Sequence, residues 1–169
     1  MKTQNSVTRF IVSLAVCLLA GYADLYLFLP TLTGWYGALQ KPSFIPPVTI
    51  IYYGIIVLSL LVAFGLYMIW NAAEKSRDAR LAAWLIMSGL VLNVSWFFAF
   101  FWLKSVFFSI GIMAIMLTVF IAILYLSFRS AVLALLFMVP CVIIFLFMMY
   151  ANVMIYLMNP NLPLLDFVL

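Results

Sequence analysis

The stretch GWYGALQKPSFIPP, residues 34–47, lies between two long apolar runs. A membrane hairpin reverses direction with a few polar residues, yet this one carries Trp35, Tyr36, Phe44 and three prolines. Each proline locks its own φ. The segment therefore reads as a rigid aromatic loop, and the runs on either side of it as helices that cross a bilayer.

Composition supports that reading. The chain has 70% hydrophobic and 7% charged residues, against about 25% charged in soluble domains. An integral membrane protein follows, and 169 residues leave room for several crossings in one domain, 1–169, with no soluble appendage expected. The net charge of +4 is scattered along the chain, with no basic run of the kind that tracks phosphates, so nucleic acid is not expected as a partner. Cys17 and Cys141 sit in apolar runs without metal-ligand or disulfide spacing and read as small core residues. The chain has no histidine, which removes the commonest general base and metal ligand. No metal site and no required cofactor are expected.

Apolar windows of about 20 residues, enough for a ~30 Å hydrocarbon core, fall at 8–29, 48–70, 81–103, 106–127 and 131–157. The first lacks a small-residue cleavage site and is too long for a removed signal peptide. NAAEKSRDAR, residues 71–80, separates the second window from the third, and turns near Lys104 and Arg129 bound the fourth. Five crossings place Lys2, Arg9, Lys75, Arg77, Arg80 and Arg129 on one side and Lys41 and Lys104 on the other. Six basic residues against two predict a cytoplasmic N-terminus, with the aromatic loop and the tail NLPLLDFVL on the outer side. No internal period supports an inverted-repeat transporter.

Within the crossings the polar residues are few. Ser13, Cys17 and Gly21 form a small-residue stripe suited either to close packing inside the chain or to a dimer seam. Asn93 must point into the bundle, bonding a neighbouring helix or facing a ligand, and Asn152 lies level with the aromatic loop, so the two amides could line one cavity. Asp24 lies about 22 Å beyond Arg9 at about 1.5 Å per residue, and either snorkels outward or pairs with Lys41, or else faces an internal cavity. Pro140 should kink the fifth helix and open space between helices. FLFMMYANVMIYLM, residues 145–158, would face that space with soft side chains, or serve as plain core or lipid-facing surface.

Taken together, the loop at residues 34–47, LNVSWFFAFF at residues 92–101, and Pro140 followed twelve residues later by Asn152 resemble the tryptophan-rich sensory protein (TspO, translocator protein) family. Trp35, Tyr36, Leu39, Lys41, Pro42, Pro46 and Pro47 match its loop motif. Leu92, Asn93, Trp96, Phe100 and Phe101 match its third-helix motif. The resemblance implies an all-α membrane protein, a five-helix bundle whose loop after the first helix lids a pocket for haem, protoporphyrin IX, sterols or benzodiazepine-type compounds. It implies Trp35, Tyr36, Phe44, Pro47, Asn93, Trp96 and Asn152 as ligand-binding residues, membrane lipid and a hydrophobic small molecule as partners, and a homodimer.

The departures from the family pattern bear on activity. Phe44, Ile55, Ile144 and Tyr156 stand where the family usually has tryptophan, and Cys141 replaces a tyrosine. Some members are reported to degrade protoporphyrin in light through pocket tryptophans, so binding without catalysis is expected of this chain. A sensor or receptor is the leading reading. An export facilitator, a porphyrin-modifying enzyme and a scaffold-only relative are its rivals. A prokaryotic plasma membrane is the expected location.

Overall fold

Hydrocarbon offers no partners for backbone N–H and C=O groups, so each apolar run must close its hydrogen bonds internally and coil into a helix. The computed structural model describes residues 2–162. Helix α1 spans Lys2–Phe28, α2 is the single turn Trp35–Ala38 inside the aromatic loop, and α3 spans Val48–Ala72. Helix α4 spans Arg77–Phe97, α5 Val106–Ser130 and α6 Leu135–Met158. All but α2 are long and apolar enough to cross a membrane, which makes five crossings, and no strand occurs among the described residues. The predicted all-α fold is the one found. Of the tail assigned to the outer side, residues 163–169 lie outside the described residues.

Local chemistry sets the ends. Pro47 precedes the first turn of α3, and Ser76 caps α4 by accepting from the Ala79 amide at 3.3 Å, with Asp78 in the positive first turn. Ser105 caps α5 in the same way, accepting from Phe108. The polar stretch 71–80 is thus mostly helical, and only the residues between Ala72 and Arg77 break the chain direction.

Two sets of contacts tie the opposite ends of the bundle. At one end Ser6 hydrogen-bonds Tyr67 at 2.9 Å, and Arg9 pairs with Glu74 and donates to Asn71. At the other, the backbone of Gln40 and the side chain of Asn159 exchange two hydrogen bonds of 3.0 and 2.9 Å, tying the aromatic loop to the end of α6.

Between these ends α1 packs on α3, and Ser13, Cys17 and Gly21 are all buried within the chain itself. The stripe serves intramolecular packing. A Cβ on Gly21 would fall 2.2 Å from Ser59 Oγ, so only hydrogen fits there. Gly21→Val is expected to cost about 1–3 kcal/mol, read as a lower melting temperature in detergent. Gly111→Val, where a Cβ meets nothing within 4 Å on an exposed face, should leave the transition in place; equal losses would show that Gly21 does not set the α1–α3 approach.

Helix α6 continues through Pro140 without interruption. Near that point the bundle is tightly filled, since a Cβ on Gly65 of α3 would fall 2.1 Å from Met138 Cε and Phe64 stacks on Phe137 at 5.5 Å. The open space predicted beside Pro140 lies further along α6, from Ile144 onward.

Candidate functional site

The loop is held over one end of the bundle by rings and one ammonium group. Phe28, fully buried at the end of α1, meets Tyr36 edge-on at 5.8 Å and Phe101 at 5.1 Å. Lys41 Nζ donates to the Tyr36 carbonyl at 2.6 Å and the Leu39 carbonyl at 3.0 Å, and lies 4.6 Å from the Tyr36 ring centre. Burial pushes the Tyr36 phenol above its ordinary pKa and draws the Lys41 ammonium below its own. On the far side Phe44 stacks on Tyr150 at 5.2 Å and meets Phe147 at 5.8 Å. A loop fastened both to the end of α1 and to α6 has little entropy left to lose when it covers a ligand.

Beneath it lies a cavity of about 340 Å³, walled by α1, α3, α4 and α6 with Phe120 from α5, and roofed by Tyr36, Ile45 and Pro46 of the loop. Its wall is almost wholly apolar. Ile50 of α3 and Phe147 of α6 line it while remaining exposed. The wall therefore opens sideways between α3 and α6, toward the surrounding membrane.

One polar pair stands out in this wall. Asn93 Nδ2–H of α4 donates to Asp24 Oδ2 of α1 at 2.5 Å, and both residues line the cavity. The reading that sends Asp24 outward to Lys41 is thereby corrected: Asp24 is 3% exposed, and Lys41 spends its protons on loop carbonyls. Asn152 is also buried in the wall, with its Nδ2 3.9 Å from Met113 Sδ, a weak acceptor.

Of the residues singled out from sequence, Tyr36, Asn93, Trp96 and Asn152 come together around the cavity. Trp35, Phe44 and Pro47 do not reach its wall. Trp35 packs edge-on against Phe100 at 5.3 Å from the loop side, Phe44 covers α6, and Pro47 is the exposed residue before α3, with Pro46 as the one turned inward. Trp35 and Phe44 fasten the roof, and Pro47 starts α3.

The wall also holds residues outside the seven ligand-binding positions that the resemblance implies. After Phe97 the chain widens into a π-helical segment, Phe98–Trp102, closed by Leu103 N–H to Phe98 O at 2.9 Å. Phe97 at the end of α4 and Phe100 and Phe101 within this segment line the same cavity as Trp96. The doubled aromatic pairs in WFFAFF, residues 96–101, were the available signal. Gly54 lines the cavity from α3, and a Cβ there would meet nothing within 4 Å. Of the chain's five tryptophans Trp96 alone lines the cavity, and Ile55 and Ile144, at two positions where indoles were expected by resemblance, line it as aliphatic residues.

A model of the TspO/MBR family matches residues 12–157 of the chain. No curated protein matches it.

Proposed function

The chain belongs to the TspO/MBR family, with the match running from the first crossing through the last, and from that premise we propose that it is a membrane receptor binding a flat hydrophobic ligand, haem or protoporphyrin IX, in the cavity under the aromatic loop. The observation that carries this reading is the cavity itself. It is apolar, roofed by a stiff, pre-fastened loop, and furnished with a few inward polar groups, the make-up of small-molecule sites of roughly 300–1,000 Å³. A single indole in the wall supports binding without porphyrin photochemistry.

The sideways opening between Ile50 and Phe147 favours a ligand that arrives through the membrane, and the same opening would serve an export facilitator, the second reading. The cytoplasmic N-terminus and a prokaryotic plasma membrane rest on the basic residues gathered at the Arg9 end, and a homodimer rests on the family resemblance.

The test is a titration of the detergent-solubilised protein with protoporphyrin IX and with haem in the dark, following tryptophan quenching and the porphyrin absorption band. Saturable one-to-one binding is expected, weakened about tenfold by Trp96→Leu, equivalent to about 1.4 kcal/mol. Trp84→Leu, on an exposed face of α4, should change nothing. Unsaturable partitioning that is indifferent to both substitutions would remove the tetrapyrrole role.

A further inference from the structure

Asp24 offers the cavity more than its bond to Asn93. While Oδ2 accepts from Asn93, Oδ1 is buried without any hydrogen-bond partner. Trp96 Nε1, a donor in the same wall and 4% exposed as a residue, is likewise buried without a partner. Among the described residues no lysine or arginine lines the cavity. An unpaired carboxylate oxygen in apolar surroundings is among the costliest of polar burials, and a second anionic group brought beside it adds like-charge repulsion.

We propose that the Asp24 side of this cavity recognises a hydrogen-bond-donating nitrogen, a protonated amine or a ring N–H, on a flat apolar ligand, and that Trp96 Nε1–H serves an acceptor atom of the same ligand. The inference rests on the cavity being the binding site. For a tetrapyrrole it sets the orientation: the propionates point away from Asp24.

Two flat probes of similar size separate this chemistry from simple hydrophobic partitioning: 9-aminoacridine, a cation at neutral pH, and anthracene-9-carboxylate, an anion. Both are titrated by fluorescence into the full chain in a non-ionic detergent. The native chain should bind the aminoacridine at least tenfold more tightly, against the trend set by its net charge of +4. Asp24→Asn should erase that preference, whereas Asn93→Leu, which leaves the carboxylate and frees Oδ2, should keep or enlarge it. Should Asp24→Asn fail to fold, the preference of the native chain and the Asn93→Leu result still decide.

No preference in the native chain, or a preference that survives Asp24→Asn in folded protein, overturns the inference. The protoporphyrin titration stands apart from it. A cation preference without porphyrin binding sinks the tetrapyrrole reading alone, and Trp96-dependent porphyrin binding without a cation preference sinks this one alone.

Discussion

Gly54→Phe is expected to lower protoporphyrin IX affinity at least about a hundredfold, equivalent to about 2.8 kcal/mol, while leaving the protein as stable as before or more so. Gly54 lies in the cavity wall, and a Cβ at this position points into open space. A phenyl ring built from it occupies the volume a planar ligand needs. The same change removes a glycine from the interior of α3, where glycine costs about 0.8–1.0 kcal/mol relative to alanine, and fills a void whose lining atoms lack contacts. Lost binding together with a raised melting temperature is hard to obtain any other way, because substitutions that abolish binding by damaging the fold move both quantities down. Gly111→Phe, on an exposed face of α5, supplies the comparison. Undiminished porphyrin binding by folded Gly54→Phe would place the ligand outside this cavity.

Phe100→Ala is expected to destabilise the bundle by about 3–5 kcal/mol and to loosen the loop. Phe100 is 2% exposed, and its ring meets Trp35 at 5.3 Å, Tyr36 at 6.2 Å, Trp96 at 5.7 Å and Phe101 at 4.7 Å. Among the described residues it is the one ring in contact both with two loop aromatics and with the indole of the wall. Truncation leaves a cavity under the roof and removes edge-to-face contacts worth about 0.5–1.5 kcal/mol per pair beyond burial. Thermal unfolding in detergent measures the first effect, and chymotrypsin cleavage within residues 34–47 the second. Phe98→Ala, on the exposed side of the same π-helical segment, should show neither. If the two variants behave alike, the loop is not anchored through Phe100.

The division between what could and could not be read from the residues follows from the solvent. Length, hydropathy and the absence of backbone partners in hydrocarbon are local properties. Five crossings and an all-helical architecture were therefore legible, as was a loop rich in proline and aromatic residues between the first two crossings. Sidedness of residues was not. In a soluble helix the buried face is marked by its contrast with a polar one, but here Leu, Ile, Phe and Val clothe every face, because lipid is as apolar as the core. Depth along α1 placed Asp24 correctly near the loop end, yet its rotation about the axis, and so its choice of Asn93 over Lys41, depends on how closely α1 approaches α3 at Gly21. The resemblance marked Trp35, Tyr36, Phe44 and Pro47 alike, and only the docked loop separates Tyr36, which reaches the cavity, from the three that do not. The aromatic spacing of residues 96–101 was legible, but the volume enclosed in front of it, with the empty space beside Gly54, belongs to the packing of several helices at once, and no single segment of the chain carries that information.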